Sequence, residues 1–356
     1  MAAPHSSRQG KNGDRESEVI ANAVPALPVR TIRRLLLDWY RRNRRDLPWR
    51  RTRDPYCIWI SEIMLQQTRV AAALGYYERF LERFPSVQEL ASAPEQDLLT
   101  AWAGLGYYTR VRNLQKAAKN IVALGSFPRD YESIRALDGV GDYTAAAIAS
   151  IAFDLPHAAL DGNVMRVLSR LTAEPGNIAS GAVRKRLSTV AGRLIDSKSP
   201  GEFNQACMEL GALICLPKQP QCPLCPLKGQ CAARRMGRES ELPLKAVRAS
   251  PIEIEKQILV IQKAGCILAW QREPGSRRLM GFWELPEPDQ LPHAKIGASV
   301  GVFRHTIVNT NYSFRVHRAS IRTIPKLFHW LPTQSLDQFP LSTAAKKALA
   351  CLTRDE

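Results

Sequence analysis

The sequence predicts a mainly α N-terminal region followed by a smaller α+β domain, and three observations carry that reading. Apolar residues recur at helical spacing through much of residues 29–235. The clearest run is 58–84, where Ile60, Ile63, Met64, Val70, Ala71, Leu74, Tyr77 and Leu81 form one stripe. After Cys231 the character changes, and GRESELPLKAVRAS (237–250) has so little apolar periodicity that residues 236–250 read as a linker. Beyond it, ILVIQKAGCILAWQR (258–272) gives two β-rich runs split by Lys263, Ala264 and Gly265, a strand-turn-strand signal.

Taken in order, residues 1–28 hold no apolar run long enough for a signal peptide or membrane span. Arg8, Lys11 and Arg15 there balance Asp14, Glu16 and Glu18, so the segment reads as a disordered leader. Helical patterns with short polar breaks fill residues 30–116, and further ones run from Gln88 to Leu124, Tyr143 to Phe153, Val164 to Leu171 and Arg184 to Leu194. No internal repeat or low-complexity tract interrupts them.

The net charge of +17 has a location. Residues 1–28 contribute zero and residues 251–356 contribute +5 (14 basic against 9 acidic), which leaves +12 for residues 29–250. Ten arginines fall between Arg30 and Arg53 alone. A neutral leader on a basic folded middle is a docking surface for phosphates, not a polybasic anchor. Without a basic amphipathic helix bearing a Trp and Leu face, a membrane surface is the weaker partner.

A chain of 356 residues buries two cores without cysteine staples. Cys57, Cys207, Cys266 and Cys351 are scattered, which suits a reducing interior. The other four, Cys215, Cys222, Cys225 and Cys231, are spaced C-x6-C-x2-C-x5-C within CLPKQPQCPLCPLKGQC and read as metal ligands, for which zinc is the plainest occupant.

Three stretches hold candidate chemistry. By helical spacing Glu62 lies outside the apolar stripe beside Gln66 and Arg69, the place of a solvated acid, though Gln66, Gln67 and Thr68 next to it suit base edges. In LDGVGDYTAAAIA (137–149) a glycine turn, Gly139-Val140-Gly141, runs into an alanine-rich helix whose first amides can face an anion. In HAALDGNVMRVLSRL (157–171) Asp161 precedes a helix as an ordinary capping residue does.

Read with SEIMLQQT, AWAGLGYYTRVRNL, FNQACMELGALIC and the cysteine spacing, in this order, the chain closely resembles the adenine DNA glycosylases of the MutY type, within the endonuclease III and helix-hairpin-helix superfamily. The resemblance covers residues 29–235 strongly and the rest more weakly. It implies a helical glycosylase region over 29–235, with a helix-hairpin-helix at about 131–150 and an iron-sulfur loop at 215–231, followed by a Nudix-like lesion-recognition domain at 251–356.

The implied reaction is hydrolytic excision of adenine mispaired with 8-oxoguanine or guanine in double-stranded DNA, after the base is flipped out. Glu62 would protonate the purine and help activate water. Asp161 would stay ionised and stabilise the sugar cation, oriented by Asn163. Tyr143 stands where bifunctional relatives carry a Schiff-base lysine, so the enzyme would be monofunctional, with Tyr143 supporting the cation beside Asp161. Gln67 and Tyr107 would wedge the opened step, and Trp49, Arg50 and Gln205 would line the adenine pocket.

The four clustered cysteines would ligate a 4Fe-4S cluster, folding a loop that presents Lys218 and Lys228 to the DNA backbone. In the second domain MGFWELPE (280–287) matches the Nudix-like turn, but no acidic magnesium box follows Pro286, so it would bind and not hydrolyse. Two departures stand out: Ile307, Val308 and Asn309 replace the lesion-reading loop, and Asp138 and Asp142 put negative charge in the hairpin. A cytoplasmic, nucleoid-associated monomer is expected. Two other readings stay open: an oxidised-pyrimidine glycosylase/lyase, disfavoured by Tyr143 and the extra domain, and a non-catalytic iron-sulfur redox sensor, disfavoured by Glu62 and Asp161 together.

Overall fold

The computed structural model describes residues 27–245 and 250–352, except 274, 277, 278 and 308. All but the last two residues of the expected leader lie outside the described residues. The helices in chain order are α1 (Val29–Asn43), α2 (Pro55–Leu65), α3 (Val70–Arg83), α4 (Val87–Ser92), α5 (Glu95–Trp102), α6 (Thr109–Leu124), α7 (Tyr131–Arg135), α8 (Asp142–Phe153), α9 (Gly162–Thr172), α10 (Gly181–Leu194), α11 (Pro200–Leu213), α12 (Ala232–Arg235) and α13 (Thr343–Leu352). The strands are β1 (Ile252–Lys263), β2 (Cys266–Gln271), β3 (Trp283–Glu284), β4 (Lys295–Ile307), β5 (Thr310–Ser320) and β6 (Phe328–Pro332). Among the described residues no helix is long and apolar enough to cross a membrane.

Packing divides the chain into two compact units that do not follow chain order: residues up to Gln66 group with those from Leu124 onward through the cysteine loop, and Gln67–Ala123 group with the C-terminal domain. The sequence reading kept 29–235 together. The difference begins at Gln66–Arg69, where the single helical pattern expected over 58–84 breaks into α2 and α3, with Gln67 in the left-handed region at φ 59°.

In the first unit side-chain caps set the helix starts. Asp54 accepts from Tyr56 N with Pro55 in the first turn, Asp130 from Ser133 N, Asp161 from Val164 N and Ser180 from Val183 N. The packed core joins Ile32, Leu36 and Tyr40 of α1, Val167 and Leu171 of α9, Leu187 of α10 and Ala206 and Leu210 of α11. Burying each such large side chain is worth about 1.5–3 kcal/mol. Helix α2 has no exposed face to speak of: Tyr56, Ile58 to Met64 and thus Glu62 are all buried. The solvated position expected for Glu62 is therefore wrong, because the stripe argument assumes a helix with one wet side.

The second unit holds a six-stranded mixed sheet ordered β3-β2-β1-β5-β4, with β6 paired to β2. Strands β1 and β5 run parallel from Ile252↔Thr310 to Ile261↔Ala319, and β4 and β5 form an antiparallel hairpin. The strand-turn-strand reading of 258–272 is borne out: Lys263 pairs with Cys266 across Ala264 and Gly265, both left-handed at φ 49° and 72°. Helix α13 packs Ala345, Ala348 and Leu352 on the sheet with Ile258, Val260 and Val316.

Helices α5 and α6 are sewn to this sheet domain by the MGFWE turn. Phe282 is fully buried, its ring centroid 4.0 Å from that of Tyr108, and Arg112 Nη2 donates to Met280 O at 2.5 Å. The expected linker 236–250 also needs correction in its first half. Leu242 is buried, its carbonyl accepts from Arg170 Nε at 2.8 Å, and Leu244 O accepts from Ile178 N at 3.0 Å, so these residues belong to the first unit; 246–249 lie outside the described residues.

Close approach of α11 to α8 depends on Gly201. A Cβ there would lie 2.6 Å from Ser150 O and 2.7 Å from Ile151 Cα, backbone atoms that cannot yield, whereas one on Gly181 meets open space. Gly201→Ala is expected to cost about 1–3 kcal/mol in denaturant unfolding, while Gly181→Ala stays within about 0.5 kcal/mol.

Candidate active site

Helix α8 organises the site. Its N-terminus follows the turn Gly139-Val140-Gly141, where Gly139 takes φ 74°, a conformation that favours glycine. Val140 N closes the turn onto Leu137 O at 3.1 Å, and Gly141 caps the helix with no side-chain bond. The first amides of α8 thus lack the side-chain acceptor that α7, α9 and α10 have, which leaves them open to an acceptor from outside the chain. The carboxylate of Asp142, the negative charge noted in the hairpin, is held in an ion pair by Arg135 of α7.

One residue on, Tyr143 turns inward and its hydroxyl donates to Glu62 Oε2 at 2.6 Å. The sequence placed Tyr143 beside Asp161; the stronger contact is with Glu62. Glu62 is 5% exposed. Burial pushes its carboxyl up from 4.5 to about 7; the Tyr143 hydrogen bond and the Arg50 charge act against this and the nearby Asp161 charge adds to it. Burial also drives the Tyr143 hydroxyl well above its ordinary range, so it remains a donor.

Asp161 is the N-cap of α9, as its sequence context predicts. Burial raises its pKa, but its carboxylate is solvated by protein: Oδ1 accepts from Val164 N at 2.6 Å and Oδ2 from Asn163 Nδ2 at 2.9 Å, both lowering it again. Asn163 is itself fixed, since its Oδ1 accepts from Arg166 Nη2 at 2.9 Å. Arg166 was not singled out from sequence; its other donors reach Cys215 O at 2.8 Å and Gly211 O at 2.7 Å. Arg170, also missed, is 2% exposed and donates to Cys215 Sγ at 3.2 Å and Leu216 O at 2.7 Å. Two arginines four apart on a helix that is otherwise core were the signal, because buried guanidiniums require partners.

Trp49 and Arg50 lie in a 3-10 turn, Pro48–Arg50, with Trp49 buried. Arg50 Nη1 and Nη2 each reach Glu209 at 2.9 Å, and Arg45 grips the same carboxylate at 2.6 Å from Nη2. Burial alone would raise Glu209, yet the two guanidiniums hold it down at about 2. Gln205 accepts from Tyr40 OH at 3.0 Å, and the guanidinium of Arg50 lies 5.5 Å from the same Tyr40 ring. Trp49, Arg50, Gln205, Glu62, Tyr143, Asp161 and Asn163 therefore all belong to the first unit. Gln67 and Tyr107 belong to the second, each exposed and each non-glycine with positive φ, 59° and 49°.

Cys215, Cys222, Cys225 and Cys231 share one half-buried loop. Burial is the first cause that pushes up Cys222, Cys225 (to about 12) and Cys231, and the charge of Glu239, at Cys222 and Cys231, and neighbouring cysteines add to it. Among the described residues no three His, Cys, Asp or Glu side chains form a ready-made metal-holding group. Four part-buried free cysteines in one loop, the first of them facing the Arg170 guanidinium, fit a cationic centre that would be held through their thiolates.

A buried acid poised near neutrality, a second carboxylate solvated by amides and an anion-binding hairpin define a helix-hairpin-helix base excision enzyme. Residues 60–192 match the family described as HhH-GPD superfamily base excision DNA repair protein. The chain is 34% identical to the human adenine DNA glycosylase over 402 residues, covering 90% of this chain and 73% of that protein. It is 43% identical to the adenine DNA glycosylase of Buchnera aphidicola subsp. Baizongia pistaciae over 253 residues, 70% of each. A thermostable thymine-DNA glycosylase superimposes with a TM-score of 0.52 at 28% identity, over 58% of this chain and 97% of that one. The chain belongs to the adenine DNA glycosylase family.

The Glu209 clamp makes a prediction about acid stability. A carboxylate held at about 2 in the folded state against an ordinary 4.5 stabilises the fold fully above 4.5 and loses that contribution as pH falls toward 2. Glu209→Gln should be less stable than wild type at pH 7, with the gap between the two unfolding free energies closing over that acid window.

Proposed function

We propose that this adenine DNA glycosylase excises the base by general-acid hydrolysis, with Glu62 as the acid and Asp161 as the stabilising carboxylate. The observation that carries the reading is a carboxyl raised to about 7 within hydrogen-bonding reach of Tyr143. With Oε2 engaged by the Tyr143 hydroxyl, the proton of Glu62 sits on Oε1 and is available to a purine ring nitrogen. Transferring it lets the N-glycosidic electron pair leave with adenine, and the ionised Asp161 balances the sugar cation until water adds at C1′. Glu62, now a carboxylate, takes the proton from that water, and the products are free adenine and an abasic site. Tyr143 offers no amine for a Schiff base, so the strand is not nicked.

The substrate is duplex DNA holding adenine opposite 8-oxoguanine or guanine. The chain's basic charge and the uncapped α8 start support the grip on the strand. Exposed Gln67 and Tyr107 are the groups that fill the vacated step. Trp49, Arg50 and Gln205 form the adenine pocket. The sheet domain is a Nudix-like reader of the opposite base through the β4–β5 hairpin, although Asn309, tied to Ser250 O at 3.3 Å, replaces the family's loop and Val308 lies outside the described residues. Cys215, Cys222, Cys225 and Cys231 hold a 4Fe-4S cluster, which supplies cross-links that fold residues 215–231 and set exposed Lys218 and Lys228 toward the backbone.

Two measurements test this. In single-turnover assays on A opposite 8-oxoguanine, Glu62→Gln and Asp161→Asn are each expected to be slower by about 10²–10⁴-fold, and the wild-type rate to decline as pH rises through about 7, where Glu62 loses its proton. Full activity in Glu62→Gln, or abasic-strand cleavage keeping pace with base release, defeats the mechanism. Purified protein should be brown and carry iron and sulfide; a colourless zinc-loaded sample defeats the cluster.

A further inference from the structure

Asp161 sits at the end of a stretch, residues 154–161, that forms no helix or strand. Apart from a few backbone bonds, such as Leu155 N to Ala149 O at 3.0 Å, its place comes from side-chain contacts. Asn204 supplies one brace: its Nδ2 donates to Ser150 Oγ of α8 and to His157 O, both at 2.8 Å, and its Oδ1 accepts from Ala159 N at 3.1 Å. A second is packing of Ala159 against Ala146 and Ala147, small residues that let the stretch lie close to α8. These hold it to the body of the helix.

A third contact reaches the other arm of the hairpin. The His157 ring stacks on Tyr131, the first residue of α7, with centroids 4.3 Å apart and planes within 8°. Tyr131 also packs against the alanine cluster that holds Ala159. The α7–α8 turn is the phosphate-facing end of the site, so a rigid stack between α7 and residue 157 ties the phosphate grip to the segment that aims Asp161. Neither ring has a role in the reaction above.

We propose that His157 is a positioning residue: stacked on Tyr131, it keeps the Asp161 segment in register with the hairpin that holds the DNA strand. The inference rests on the role of Asp161 argued above. A flat ring suffices for it, and the imidazole transfers no proton. Misplacing a reacting group by about 1 Å costs on the order of 10²-fold in rate, so loss of the stack should slow chemistry more than binding.

The test compares wild type, His157→Ala, His157→Phe and Asp161→Asn in single-turnover excision. Affinity is read separately with the same duplex carrying 2′-fluoro-2′-deoxyadenosine, which resists hydrolysis. His157→Ala is expected to excise about 10–100-fold more slowly with affinity and thermal midpoint little changed. His157→Phe should recover most of the rate, and the wild-type to His157→Ala ratio should be constant across neutral pH. The proposal is overturned by a His157→Ala rate within about twofold of wild type, by a parallel loss of affinity, by a His157→Phe as slow as His157→Ala, or by a ratio that varies with pH. An active Asp161→Asn would instead remove the reading on which the inference stands.

Discussion

Two carboxylates cannot both be ionised in one dry site without a large cost, and the enzyme depends on keeping them different. The structure separates Glu62 from Asp161 by the donors each receives. Glu62, buried in the middle of a helix whose own amides are spent on α-helical bonds, receives one side-chain hydroxyl. Asp161, at the start of a helix, receives an otherwise orphaned amide and a side-chain amide. Burial raises both, but a carboxylate that accepts two N–H bonds tolerates it far better than one facing a single phenol. The proton therefore belongs to Glu62.

That division needs a frame, and two buried arginines supply much of it. Arg166 fixes Asn163 on one side and the Cys215 and Gly211 carbonyls on the other, while Arg170 spans Cys215, Leu216, Pro217 and Leu242. Helix α9 is thus anchored at one end by a capping carboxylate and along one face by the main chain of the cysteine loop. Each guanidinium hydrogen-bonds carbonyl oxygens and not a carboxylate, and Arg170 also reaches Cys215 Sγ, so two positive charges are held against the start of the cysteine loop.

Local rules made part of this legible. The cap at Asp161 is read directly from residue type, and Ala264-Gly265 announces its hairpin because both positions need left-handed backbone. What the sequence conceals is set by long-range packing. Periodicity in α2 points Glu62 outward because a stripe argument knows one partner face, and α2 has partners all round. Asn204, adjacent to the singled-out Gln205, escapes notice because its value lies in three groups from Ser150, His157 and Ala159, which only the fold brings together. The same holds for the pairing of Phe282 with Tyr108, which assigns α5 and α6 to the sheet domain.

The second unit carries a different kind of constraint. Gln67 and Tyr107 occupy left-handed backbone without being glycine, a conformation that costs of order 1 kcal/mol or more each and persists where surroundings over-determine it. For Tyr107 those surroundings are visible. Arg110 lies 5.8 Å from its ring and 5.3 Å from that of Trp102, and Arg110 Nη2 ties the carbonyls of Leu105 and Gly106 at 3.1 Å each. Trp102 is fully buried, and the next residue, Tyr108, is locked by Phe282. An exposed aromatic ring on a backbone this firmly pinned has little conformational freedom left to lose, so any partner that stacked on it would meet a surface already ordered.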